Sequence, residues 1–366
     1  MQRRLAISPQ LRAWILPLVL VLLIWLLQQF PGIIETYYAQ GIYPYIGWML
    51  RVLFGWLPFS VGDVLIAVLI IIAVTTVVKA MRKKKYYTGK LGWLRHLLQQ
   101  LLKWMLWSYI LFECIWGLNY YRKGSAYLLQ LQPDVYTTAD VDTLLNTVNA
   151  RLHSLSKDSV VIRQSLTQDR LHLNEMVTAA YTNASQQYGW LALHHTSLKP
   201  NLLGPLQSYT GYGGYLFPFT GEAQVNFHAL AFTLPFTVSH EMAHQLGFGS
   251  ESEANLIGYL AGRQSASALL QYSTYAEMHD YAVSDMWVRD SVLAKQRYKE
   301  VPYMLQQHRK EMRQWVQAHK HPAQQWLNWM YERYLWSNNQ PQGLQSYNRV
   351  VAWLIAYGKK YGWHQL

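Results

Sequence analysis

The chain has 366 residues, 51% of them apolar, with 16 Trp, 27 Tyr and only 14% charged side chains. Its net charge of +12 is lopsided: residues 1–119 carry twelve Lys and Arg against Glu35, Asp63 and Glu113, while residues 120–366 carry twenty against seventeen acids. Basic charge concentrated in the apolar third reads as membrane orientation and argues against nucleic-acid binding, and a lone cysteine, Cys114, excludes an internal disulfide.

Three apolar runs come first: "AWILPLVLVLLIWLL" (13–27), "VLIAVLIIIAVTTVV" (64–78) and "WMLWSYILFECIWGL" (104–118). With their flanks they predict spans over about 11–30, 60–79 and 97–118, Lys103 snorkelling, each near the roughly 20 residues a bilayer core requires. No small-residue cleavage site follows the first run, so it reads as a span and not a signal peptide. Arg3, Arg4 and Arg12 precede it, and Lys79, Arg82, Lys83, Lys84, Lys85, Lys90 and Arg95 crowd one segment without an acid. The positive-inside rule puts both segments in the cytoplasm and everything after about residue 120 outside. Residues 41–58, broken by Pro44 and Pro58 and centred on Arg51, read as an interfacial or re-entrant helix. Glu113 is expected near the outer interface or paired with a neighbouring helix. The expected division is a membrane domain, 1–119, and an extracytoplasmic domain, 120–366.

The second part is expected to be mainly α. "TTADVDTLLNTVNARLHSL" (137–155) opens with capping signals and keeps helical spacing, and 172–188 also reads as helix. Residues 204–227 change to glycines, prolines and alternating aromatics, which predict a small sheet; its 209–217 strand is a candidate edge for a bound peptide. Helical patterns resume at 235–247, 251–270, 274–297, 303–319, 323–336 and 343–358. The aromatics of 347–363 read as core or membrane-facing. His194 and His195 read as a solvated loop pair, and His279, His308, His319 and His321 as residues of polar helical faces.

The chemistry lies in "SHEMAHQLGFGSESEAN" (239–255). His240-Glu241-Met242-Ala243-His244 is HExxH, which places two imidazoles on one helical face for a single Zn²⁺ and a carboxylate within reach of an activated water. Zinc catalysis needs a third protein ligand. Ser250 with Glu253 three residues on matches a capping box, which would occupy Glu253; Glu251 at the first helical position is then the expected ligand and Glu253 the alternative. Asn255, one turn further, is placed to hydrogen-bond a ligand imidazole from behind. Tyr215, His228, Tyr272 and Tyr347 are all open as the donor to an oxyanion.

HExxH followed by Glu251-Ser252-Glu253-Ala254-Asn255 resembles the gluzincin metallopeptidases, whose second helix begins with the third ligand and carries an Asp where Asn255 stands here. The blocks "PFTGEAQVN" (218–226), "PFTVSHEMAHQLGF" (235–248) and "ESEANLIGYLA" (251–261), with the apolar N-terminus, resemble an uncharacterised family of bacterial inner-membrane predicted zincins, a domain of unknown function. The resemblance implies a zincin-like α+β domain, with the HExxH helix at its active site, following three transmembrane helices. The expected function is a membrane-anchored zinc metallopeptidase acting outside the cytoplasmic membrane: His240, His244 and Glu251 hold Zn²⁺ and Glu241 is the base. Its expected partners are the lipid bilayer and a peptide or protein substrate; the oligomeric state is left open. The competing reading is a non-catalytic membrane protein whose zinc is structural or binds a partner. Intramembrane proteolysis fits poorly, because the apolar stretch before the motif, 229–238, has ten residues and contains Pro235.

Overall fold

The computed structural model describes residues 9–83, 89–133, 135–322, 324–340 and 347–366. The first elements are α1 (Pro9–Gln28), α2 (Pro31–Ile33), a π-helical stretch (Ile34–Ile42) continuing into α3 (Tyr43–Phe54), α4 (Val61–Lys83) and α5 (Gly89–Ile115). Then come α6 (Gly124–Leu128), α7 (Thr138–Leu155), α8 (Ser159–Gln164), α9 (Arg170–Gln187), β1 (Leu198–Pro200), α10 (Gly204–Gln207), β2 (Gly214–Phe217) and β3 (Glu222–Val225). The chain ends in α11 (Leu234–Gln245), α12 (Glu251–Arg263), α13 (Ala268–Arg289), α14 (Ser291–Lys299), α15 (Tyr303–Ala318), α16 (Gln324–Ser337) and α17 (Tyr347–Tyr361). The sheet order is β1-β3-β2, with β1 parallel and β2 antiparallel to β3. The protein is therefore mainly α with one small mixed sheet immediately before the chemical motif.

The expectation of three spans is corrected. Among the described residues one helix alone, over Val61–Lys79 in α4, is long and apolar enough to cross a membrane. Ala13–Gln28 and Pro31–Phe54 meet that description only as a pair, bent by 90° at their break; Pro31 starts the second arm, where its missing N–H is tolerated. The expected third span lies within α5, where Gln99, Gln100, Lys103 and Glu113 interrupt the apolar run. Arg3, Arg4, Lys84 and Lys85 of the orientation argument lie outside the described residues.

The stretch 41–58, expected as an interfacial or re-entrant helix, is tied to the chemical motif by hydrogen bonds. Arg51 is buried, and its guanidinium donates to His195 O (2.7 Å), Gln245 O (3.1 Å) and His194 O (3.2 Å). Tyr43 donates its hydroxyl to Gln245 O at 3.1 Å. These donors satisfy a carbonyl at the C-terminus of α11, where a cation is also favoured by the helix dipole. Glu113 is buried beside Gln28 of α1, so the pairing with a neighbouring helix holds.

The larger core gathers apolar faces of α7, α9, α11, α12, α13 and α17. The expected cap of α7 is present: Asp140 N donates to Thr137 Oγ1 at 3.2 Å and Thr137 N to Asp140 Oδ2 at 2.8 Å. Two predicted helices break early. The 251–270 pattern ends at Arg263, and 274–297 divides at Asp290, whose carboxylate accepts from Val292 N and Leu293 N to start α14. His279 and His308 are buried, against expectation: His279 Nδ1 accepts from Arg309 at 2.8 Å, and His308 Nδ1 meets the Tyr272 hydroxyl at 2.7 Å. Polar neighbours at helical spacing conceal such pairs in a sequence. Trp353 and Tyr357 of α17 are buried in the core, whereas Tyr361 is exposed.

Candidate metal centre

Pro235 opens α11 in its first turn, and Gly247 ends the following turn at φ +83°, a left-handed conformation that glycine adopts without strain. Phe248 N then returns to Ala243 O at 3.3 Å, and the chain re-enters a helix at Glu251. This short reversal brings the start of α12 back beside the imidazoles. Its stitching differs from the expected capping box. Ser250 makes no side-chain cap, and the Glu253 carboxylate instead accepts Ser125 N at 2.7 Å and Ser125 Oγ at 3.2 Å. Glu253 is thus withdrawn from the cleft by the first turn of α6, a contact 128 residues away that no local pattern announces. Arg122 ties the same region together, pairing with buried Glu35 at 2.6 Å and donating to Gly247 O at 3.2 Å.

His240, His244 and Glu251 come together as one group, their ligand atoms all within 4.8 Å of one another. The two Nε2 atoms are 3.2 Å apart, and Glu251 Oε2 and Oε1 lie 3.2 and 3.8 Å from them. Each Nδ1 is engaged elsewhere: His240 donates to Asn255 Oδ1 and His244 to Phe248 O, both at 2.7 Å. Those bonds keep a proton on each Nδ1 and turn both Nε2 atoms toward the shared point, as metal-ligating histidines require. Tyr331 of α16 donates its hydroxyl to Glu251 Oε1 at 2.6 Å, and Glu251 N donates to Gln340 Oε1 at 3.3 Å. The donor set of two imidazoles and one carboxylate suits a divalent metal such as zinc.

Glu241 sits beside this group, 3% exposed, with Oε2 lacking a hydrogen-bond partner. A Cβ on Gly214 would come within 2.7 Å of Glu241 Oε1, so β2 passes directly over the carboxylate and only glycine allows it. All four residues line one cleft of about 790 Å³. Burial and mutual charge set the electrostatics of the four residues. Burial alone lowers His240, but the adjacent Glu251 carboxylate outweighs it and raises the imidazole to about 9. Burial and the neighbouring His240 charge lower His244 to about 4. Burial raises Glu251, yet the two histidines and Tyr331 hold it well below the usual carboxylate range. Burial raises Glu241 to about 8.

A pH dependence follows. A metal must take the Nε2 site that His240 keeps protonated below about pH 9, so loading releases a proton at neutral pH. Apparent metal affinity is expected to fall about tenfold per pH unit as pH drops below that value. Competition with a chromophoric chelator measures it; a flat profile through neutrality contradicts the assignment.

Of the four oxyanion-donor candidates, only Tyr215 lines the cleft among the described residues, and its hydroxyl is tied to Asp63. His228 is exposed outside the cleft, Tyr272 is buried against His308, and the Tyr347 side chain lies outside the described residues. Sequence reasoning missed Tyr331, Tyr334, Tyr120 and Trp116, which also line the cleft. Trp116 stands edge-on to His244 with ring centroids 6.3 Å apart. These aromatics arrive from α16 and from the end of α5, and nothing in their local spacing marks them.

No curated protein and no solved structure matches the chain. A family model matches residues 38–355, nearly the whole span from the bent N-terminal arm to α17. The chain therefore belongs to the family described as protein of unknown function (DUF3810).

Proposed function

We propose that the protein is a membrane-anchored, zinc-dependent metallopeptidase. One observation carries the reading: the convergent His240, His244 and Glu251 group shares its cleft with Glu241, a buried carboxylate with an unpartnered oxygen. A purely structural site has no use for that fourth residue. The resemblance of the two-helix motif to gluzincins supports the same assignment, with Glu251 as third ligand.

His240, His244 and Glu251 would hold the ion, and zinc bound there supplies Lewis-acid activation of water and of a carbonyl oxygen. Glu241 accepts the proton of the attacking water at its free Oε2 and returns it to the leaving amine. Asn255 and the Phe248 carbonyl fix the imidazole orientations, and Tyr331 fixes Glu251. β2 is the outer strand of its sheet, so its free edge can pair with an extended substrate and lay a peptide bond across Glu241.

The basic residues at the end of α4 (Lys79, Arg82) and the start of α5 (Lys90, Arg95) orient that end toward the cytoplasm. With α5 bringing the chain back across, we place the cleft on the outer face of a bacterial inner membrane. The test compares hydrolysis of quenched fluorescent peptides by the zinc-loaded wild type and by Glu241→Gln, with zinc content measured in both. Full zinc in the wild type without hydrolysis would establish the structural or partner-binding reading instead.

A further inference from the structure

The cleft has one wall that a soluble peptidase would not build. Ile66, Ala67 and Ile70 line it, and they belong to the helix long and apolar enough to cross a membrane. Asp63, Ile66, Ala67 and Ile70 stand at i, i+3, i+4 and i+7, so one stripe of α4 runs from the polar end of the cleft into its apolar stretch. The opposite wall holds Trp116 and Tyr120, just beyond the end of α5. α1 and α5 pack along each other, whereas only 6% of the apolar window of α4 is buried. One exposed apolar stripe of α4 thus lines the same cleft as the His240, His244 and Glu251 group.

Hydrogen bonds fasten the start of α4 to the sheet. The Glu222 carboxylate of β3 accepts Gly62 N at 2.7 Å and Val61 N at 3.2 Å, capping the first turn of α4. Asp63 accepts Leu202 N at 2.8 Å and the Tyr215 hydroxyl, joining α4 to β2 and to the loop before α10. That loop and α10 present Leu202, Leu203 and Leu206, 51%, 61% and 63% exposed, along the same cleft. Leucines left in water at the head of a crossing helix are explained by hydrocarbon contact.

We propose that the substrate is a membrane-embedded polypeptide: its transmembrane segment packs along the Ile66–Ala67–Ile70 stripe, and its extended juxtamembrane residues lie along β2. This rests on the peptidase reading and names its substrate class. A polypeptide is favoured over an acylated one because both features of the path suit a backbone. The open strand edge pairs with an extended chain, and small Ala67 between two isoleucines makes a shallow seat for a helix.

The test uses the full chain with Glu241→Gln in nanodiscs, carrying p-benzoyl-phenylalanine at Ile70 or, as control, at Ile71 outside the cleft. The probe is a synthetic peptide with one leucine-rich transmembrane helix and an extended polar tail. The expected result is severalfold more cross-linking from position 70 than from 71, and none to the tail alone. Equal cross-linking from the two positions, or equal cross-linking to the free tail, overturns the proposal. A palmitoylated tail that cross-links as strongly as the transmembrane probe overturns the choice of a polypeptide segment. Position-specific cross-linking by a wild type that never hydrolyses the probe refutes the peptidase reading, and with it the name of substrate, and leaves the α4 stripe as a docking path alone.

Discussion

Glu241→Gln is expected to lower peptide hydrolysis by about 10²–10⁴-fold, the usual contribution of a positioned general base, without loss of metal or fold. The amide is isosteric with a carboxylate whose Oε2 has no partner to lose. It also removes a cost. Because the fold raises the Glu241 pKa to about 8 from an ordinary 4.5, the folded state favours the neutral form. The contribution of Glu241 to the stability of chelated wild type is therefore greatest below about pH 4.5 and is lost as pH rises from there to about 8. The glutamine variant escapes that loss, so the chelated variant should melt above chelated wild type at the upper end of the window and level with it at the lower end. Calorimetric scans across the window measure this. A variant that stays fully active, or one that unfolds at every pH, contradicts the role assigned to Glu241.

The second large effect separates two carboxylates only two positions apart. Glu251→Ala is expected to abolish metal retention, exceeding the roughly 10–100-fold loss typical when an outer partner of a ligand is removed. Glu253→Ala is expected to keep the metal but to destabilise the protein by about 2 kcal/mol, since buried Ser125 N and Oγ lose their acceptor. Metal content and denaturant midpoints of the two variants therefore move in opposite patterns. Metal loss in Glu253→Ala with retention in Glu251→Ala would reverse the ligand assignment.

These carboxylates also show what a sequence can carry. The pairing of His240 with His244 needs only helical periodicity, and Glu251 needs only a short turn ended by Gly247. Both were legible. Glu251 was preferred because Ser250 and Glu253 looked like a capping box; Glu253 is indeed withdrawn from the cleft, but by Ser125. Long-range partners of this kind have no local signature. The same limit hid Tyr331 behind Glu251, Arg51 beneath the end of α11 and the Glu35–Arg122 pair. Apolar runs overstated the number of spans for a related reason. Composition registers hydrophobicity, whereas a 90° bend after Gln28 and the polar interruptions of α5 keep those helices short of the length and apolarity met by Val61–Lys79. Buried His279 and His308 were misread because a helical face is polar only relative to what packs on it.

The central claim is that His240, His244 and Glu251 bind one metal ion together. X-ray absorption at the zinc edge of zinc-reconstituted full-length protein tests it most directly. The expected spectrum has two imidazole nitrogens and oxygen donors at about 2.0–2.1 Å, with one zinc per chain. A sulfur at about 2.3 Å, fewer than two imidazoles, or protein that takes up no zinc would contradict it.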